Sequence, residues 1–268
     1  NINTAMLEIK NLKKTQKGSE SEKMVEKRNL EPKALGNYET YVKDMGEYYI
    51  DEGSATSMYS KSHETTVVKI ETENGIIGWG EAQSPVSPNT TATIIKDIVE
   101  PLTIGKDIYD VESIWHNNYS SKRERGHYTG FFIDAICGVD IAIWDAIGKS
   151  LNMPTCKAMG GAHRKSVALY NGIGGTEPEE VADQAEWSVS KGYKFVKMHL
   201  KENLEKDIEI ARKVRERVGD SIGIMIDVHM GFDTFNVIKL GKELEKLNLL
   251  WIESPSDPTD IPGLCEIS

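Results

Sequence analysis

The chain has 268 residues, 39% of them hydrophobic, and a formal charge of −10. That length suffices for one large domain or two ordinary ones with a sizeable core. An acidic chain without a basic face is not a nucleic-acid binder, and no apolar run approaches the roughly 18 residues of a membrane span.

Cys137, Cys156 and Cys265 are scattered, with neither a metal-binding spacing nor an even disulfide framework. Cys137 sits in an apolar helical run and reads as a buried thiol. A reducing, cytoplasmic setting is expected. The N-terminus is polar and lacks the apolar core of a signal peptide. It does not begin with Met, so the native start is expected upstream.

Residues 6–12 read as a first strand and residues 13–32 as a charged loop or arm. The polar stretch 38–59 carries Tyr38, Tyr41, Tyr48, Tyr49, Met58 and Tyr59. These aromatics either cover a pocket or pack the arm onto the body. Residues 65–71 and 76–81 flank Asn74-Gly75, which predicts a hairpin with a tight primed turn. A Pro-Ser-Asn loop at 84–89 follows. Residues 90–101 and 111–119 read as helices, 122–129 as a polar loop and 131–151 as a long helix, stopped by Asn152-Met153-Pro154. Up to about residue 160 the pattern is that of an α+β module.

From Ser166 strands alternate with helices. Residues 167–171, 195–200, 222–228 and 249–252 are short, apolar and partly β-branched, as buried strands are. Residues 179–191, 204–218 and 234–247 carry apolar residues at helical spacing, such as Ile208, Ala211, Val214 and Val218. The strand period is roughly 26–28 residues, one βα unit per repeat. A (β/α) barrel and a doubly wound sheet both fit this pattern. No Gly-x-Gly-x-x-Gly follows any of the strands, which disfavours a dinucleotide fold. Four such units do not close an eight-stranded barrel.

Parallel strands joined by helices bring their C-terminal ends to one face. That face receives Lys197 and His199, Asp227 and His229, and Glu253. Adjacent strands lie about 4.8 Å apart, so Asp227 and Glu253 can reach one ion, and oxygen donors suit Mg²⁺. Either acid could instead cap a loop, and Lys197 could simply pair with Asp227. His199 is two residues beyond Lys197 and His229 two beyond Asp227, so each shares its neighbour's face. Histidine titrates near neutral pH and can act as acid or base. His63, His116, His127 and His163 have no such company and read as structural.

The residues 135–149, Ala-Ile-Cys-Gly-Val-Asp-Ile-Ala-Ile-Trp-Asp-Ala-Ile-Gly-Lys, precede Pro154 and Met159-Gly160-Gly161. With Asn74-Gly75-Ile-Ile-Gly78-Trp-Gly80-Glu81 they resemble the enolase superfamily, in its mandelate racemase and muconate lactonizing branch. The resemblance runs from about residue 54 to 268. It implies an α+β capping domain over 1–160 and the N-terminal half of a modified TIM barrel over 161–268, with about four βα units present. It also implies metal ligands at Asp227 and Glu253, and a carboxylate-binding lysine at Lys197. His199 departs from the family's Lys-x-Lys. A third ligand and the principal base are expected beyond Ser268.

The family reaction abstracts a proton alpha to a carboxylate, with Mg²⁺ and lysine holding the developing charge. Acid-sugar dehydratases of the family can carry Asp-x-His at the third strand, where the histidine protonates the departing hydroxyl. The resemblance therefore implies a Mg²⁺-dependent dehydration of a sugar acid to a 2-keto-3-deoxy acid, with Lys197, His199 and His229 catalytic. It implies a small-molecule partner, a homo-oligomer, and specificity from cap loops such as 48–59 and 84–89. A racemase or epimerase on the same fold is the near alternative. A non-catalytic or truncated relative is the alternative of another class.

Overall fold

The computed structural model describes residues 4–14, 43–45, 48–52, 56–200 and 203–268. The arm expected at 13–32 begins instead as strand at Lys13 and Lys14, and its residues 15–32, with Tyr38 and Tyr41, lie outside the described residues. The chain divides into two compact units, one resting mainly on Met58–Lys165 and the other mainly on Ser166–Ser268.

In the first unit β1 (Thr4–Lys14), β5 (His63–Thr72) and β6 (Ile77–Ala82) form an antiparallel sheet in the order β1-β5-β6. β2 (Lys43–Met45), β3 (Tyr48–Glu52) and β4 (Thr56–Ser60) form a separate three-stranded sheet. Tyr49 lies 5.5 Å from Tyr59 between ring centroids. The Tyr48 hydroxyl donates to Glu64 Oε2 at 3.3 Å and accepts from the Ser87 backbone N–H at 3.1 Å.

The β5–β6 hairpin differs from its expected form. A primed two-residue turn needs positive φ at its first central residue, and type I′ needs it at both. Here only Gly75 is left-handed, at φ 81°, and Thr72 N–H bonds to Ile76 O across the loop. The result is a three-residue loop, Glu73-Asn74-Gly75. The Thr72 hydroxyl stabilises it by accepting from the Ile76 N–H at 2.9 Å.

α1 (Pro88–Ile94) runs through a π-helical turn at Ile95–Val99 into α2 (Glu100–Thr103), and α3 (Val111–Ser120) follows. The long α4 (Phe131–Ser150) buries Phe132, Ala135, Ile136, Val139, Ala142, Ile143, Ala146 and Ile147, the spacing of one helical face. That face lies on β6 with almost no gap. A methyl group at Gly80 would collide with the Gly138 carbonyl oxygen and the Ala142 nitrogen. One at Gly78 would collide with the Ala142 carbonyl oxygen. Asp145 Oδ2 fastens the pair by accepting from Trp79 N–H at 2.8 Å and Lys149 Nζ at 2.6 Å. Backbone atoms cannot move aside as a side-chain tip can. Gly80→Ala is therefore expected to destabilise this unit by about 3 kcal/mol, seen as a lowered thermal midpoint. An unchanged midpoint would contradict the packing.

Cys137, expected to be a buried thiol, is only partly buried, and all three cysteines are free thiols. Its helix also carries Asp140, whose pKa rises to about 6 through burial and then through the nearby Glu112. The folded chain thus keeps a proton that the unfolded chain releases near 3.8. Stability falls as pH rises from about 4 to about 6 and stays lower above that. Asp140→Asn removes this penalty. It should raise stability at about pH 8 by about 1 kcal/mol, a value discounted for the half-exposed carboxyl, and change little at about pH 4. Thermal melts at both pH values test this.

The second unit is a four-stranded parallel sheet in the order β10-β9-β8-β7. The strands are β7 (Tyr170–Gly174), β8 (Phe195–His199), β9 (Gly223–Asp227) and β10 (Ile252–Glu253). α5 (Thr155–Ala158) precedes it in the chain, and α6 (Pro178–Ser190), α7 (Leu204–Val218) and α8 (Thr234–Leu244) link its strands, with α9 (Ile261–Ile267) after β10. Asn203, Asp233 and Asp260 cap α7, α8 and α9 by accepting backbone N–H bonds.

β7 is displaced from its expected place at 167–171, for Val167 and Leu169 are exposed and pairing begins at Tyr170 opposite Phe195. β10 is shorter than the apolar run 249–252 suggests. Ile173, Val196, Met198, Ile224 and Ile226 share a core with α6, α7 and α8. Alternate residues therefore face the other side, and among them are Gly172, Lys197 and Met225, which are aligned in register.

Candidate active site

Parallel register places Gly174, His199, Asp227 and Glu253 in one row at the C-terminal edge of the sheet. Lys197 stands one pleat below. It is 6% exposed, and Asp227 is 3% exposed. Such burial requires partners, and they are present. Lys197 Nζ donates to Asp227 Oδ2 at 3.3 Å and to Glu253 Oε1 and Oε2 at 3.0 and 3.1 Å. Its ammonium also lies 5.3 Å from the centre of the Tyr170 ring, in cation–π range. Burial works against the Lys197 charge, but the hydrogen bonds to Glu253 and Asp227 outweigh it and hold the pKa above the usual lysine value. The ion pair allowed for in the sequence is real, and it extends to both acids.

The histidines sit beside Asp227. His199 Nδ1 lies 3.2 Å from His229 Nε2, and each of these nitrogens is 3.6 Å from Asp227 Oδ2. Burial lowers the His199 pKa, against the opposing pull of Asp227. Strand alternation does not place His229, contrary to the expectation. β9 ends at Asp227, and His229 and Met230 take left-handed φ values of 46° and 58°. Such backbone costs about 1 kcal/mol or more per residue in a non-glycine position. The His229 N–H to Asp227 Oδ1 bond at 3.0 Å and the Met230 N–H to Ser254 O bond at 2.8 Å help hold it.

All five sequence-predicted site residues, Lys197, His199, Asp227, His229 and Glu253, thus meet at one strand edge. Two neighbours escaped the sequence reading. Tyr170 lies under Lys197, and Trp251 donates from Nε1 to Glu253 Oε2 at 3.4 Å. Trp251 precedes Glu253 by two residues, which was the available signal. Tyr170 was hidden by the misplaced strand. Among the described residues, His199, Asp227 and His229 also form a group able to hold a metal ion.

The donor set fits a hard divalent cation. Asp227 and Glu253 direct carboxylate oxygens at a single ammonium, so they already converge on one positive charge. Oxygen donors of this kind match Mg²⁺.

The profile described as "Mandelate racemase / muconate lactonizing enzyme, N-terminal domain" matches residues 51–160, and "Enolase C-terminal domain-like" matches residues 180–268. An N-succinyl-L-Arg/Lys racemase of Bacillus cereus is 31% identical over 226 residues, 82% of this chain and 58% of the relative. An arabinonate dehydratase of Saccharolobus solfataricus is 31% identical over 196 residues, 72% of this chain and 52% of the relative. The chain therefore spans only about half to three-fifths of these relatives. A solved member of the enolase superfamily from Agrobacterium tumefaciens superposes with a TM-score of 0.83 at 22% identity, over 100% of this chain and 66% of that one. The architecture is an N-terminal cap joined in sequence to a barrel-like α/β C-terminal part. The chain belongs to the enolase superfamily, in its mandelate racemase and muconate lactonizing enzyme branch.

Proposed function

We propose that this chain carries the metal- and carboxylate-binding part of a Mg²⁺-dependent acid-sugar dehydratase, which converts an aldonate-type acid to a 2-keto-3-deoxy acid. The supporting observation is the convergence of Lys197, Asp227 and Glu253 beside a histidine pair on one strand edge.

Asp227 and Glu253 would hold the Mg²⁺, which supplies positive charge where the substrate carboxylate binds. Lys197 adds a second, fixed charge there. As the α-proton leaves, negative charge builds on the carboxylate oxygens, and a preorganised ammonium stabilises that charge more than the ground state. Loss of the 3-hydroxyl as hydroxide is slow, so it needs a proton donor. We assign that role to His229, and its ring nitrogen 3.6 Å from Asp227 supports the assignment. His199, whose pKa burial lowers, is assigned to assist as base or to hold a substrate hydroxyl.

The racemase relative favours a second reading, 1,1-proton transfer alone. That chemistry needs bases on opposite faces of the substrate, and His199 and His229, both 3.6 Å from the same Asp227 oxygen, do not by themselves supply the two. The test is incubation of the purified native-length protein that contains this chain with a panel of aldonic and aldaric acids. Keto-acid formation with Mg²⁺, abolished by EDTA, is expected. Epimerised acid without keto acid would replace this reading with the second.

A further inference from the structure

We propose that His199, His229 and Asp227 form a second cation site, for a borderline divalent metal of the zinc class, which shares Asp227 with the carboxylate pair assigned to Mg²⁺. Binding rests on geometry alone. Its consequence for catalysis rests on the dehydratase reading.

The three donor atoms, His199 Nδ1, His229 Nε2 and Asp227 Oδ2, form a triangle with edges of 3.2, 3.6 and 3.6 Å. Zinc–nitrogen and zinc–oxygen bonds near 2.1 Å at tetrahedral angles give donor-to-donor edges of about 3.4 Å. The triangle therefore has the dimensions of one face of a zinc tetrahedron, whose fourth position would be left for water or ligand. Two imidazoles with one carboxylate also match the preferences of Zn²⁺, Co²⁺ and Fe²⁺, whereas Mg²⁺ favours oxygen.

The imidazole planes are within 20° of each other and their centroids are 5.3 Å apart, so the two ring nitrogens face each other nearly edge to edge. To point both lone pairs at one ion beside Asp227, each ring turns a little about its Cβ–Cγ bond, and the donor triangle adjusts with it. The histidine side chains are 41% and 46% exposed, which leaves room for that turn. Asp227 is already anchored, through Oδ1 to the His229 N–H and through Oδ2 to Lys197. The left-handed backbone at His229 and Met230 fixes where the second imidazole starts.

The two sites differ in chemistry and overlap in one ligand. Zn²⁺ held by both histidines occupies the lone pairs that proton transfer needs and draws Asp227 from the Mg²⁺ side. Zinc-class ions are then inhibitors of a Mg²⁺ enzyme, acting at this triad.

The test uses the full chain with Cys156→Ser and Cys265→Ser, which removes the exposed thiols as competing ligands. Zn²⁺ and Mg²⁺ are titrated by calorimetry, and Co²⁺ by visible absorption. His199→Asn and His229→Asn should each weaken Zn²⁺ binding at least ten-fold. Glu253→Gln should weaken Mg²⁺ but leave Zn²⁺ within about three-fold. Co²⁺ should give the intense bands of four-coordination. In the unsubstituted triad, ring-nitrogen NMR signals of His199 and His229 should shift on adding Zn²⁺, a readout independent of whether the variants fold. Shifts at His63, His116, His127 or His163 in their place would overturn the proposal. So would wild-type zinc affinity in both histidine variants. If zinc binds as stated but no sugar acid is dehydrated, the site stands and the dehydratase reading falls.

Discussion

His229→Asn is expected to slow the loss of water by about a thousandfold, within the range that general acid catalysis supplies, while exchange of the α-proton with solvent falls by less than about ten-fold. The reason lies in the separation of the two steps. Charge on the substrate carboxylate is met by Lys197, whose ammonium donates to Asp227 and Glu253. Breaking the C3–O bond needs a proton at a different atom, and asparagine keeps roughly the shape of the imidazole's near half without titrating. The His229 backbone would still donate to Asp227 Oδ1, so the carboxylate should stay in place. Equal loss of both activities would mean that His229 supports the site rather than donating the proton.

Asp227→Asn and Glu253→Gln should each weaken Mg²⁺ at least about ten-fold, near 1.4 kcal/mol, because each removes a charged oxygen donor. Lys197→Met should do the opposite. It takes away the ammonium that both carboxylates now share and leaves two acids, one only 3% exposed, in need of a cation. Mg²⁺ affinity should rise while catalysis is lost, since the charge that met the substrate carboxylate is gone. Calorimetry reads all three. Unchanged affinity in both acid variants would sink the ligand assignment, and tighter binding in neither Lys197→Met nor any control would show that the lysine does not compete for the acids.

The site was legible in sequence because its residues sit at strand ends, and strand ends are marked by apolar runs. Lys197, Asp227 and Glu253 each close such a run, and parallel register does the rest. α7 likewise runs over the expected Leu204–Val218, where strong apolar periodicity is bounded by the cap Asn203 and by Gly219. Glycine hid what was missed. β7 contains Gly172 and Gly174, which lower strand propensity and pulled the expected strand toward Val167. The turn at His229 was also invisible, because nothing in Val-His-Met announces left-handed backbone. The motif most specific to the family proves to be mainly packing. Gly78, Gly80, Gly138 and Ala142 let α4 rest on β6, and Asp145 and Lys149 tie the two together. It identified the fold and said nothing of the reaction.

The most direct measurement is proton NMR of the full chain acting on an aldonic acid in deuterated buffer with Mg²⁺. Dehydration removes the C2 hydrogen and the C3 hydroxyl, and the resulting enol takes its new C3 hydrogen from solvent. The account predicts a 2-keto-3-deoxy acid with one deuterium at C3, formed only with Mg²⁺. Deuterium at C2 of an acid that keeps its 3-hydroxyl, or keto-acid formation that persists in EDTA, would contradict it.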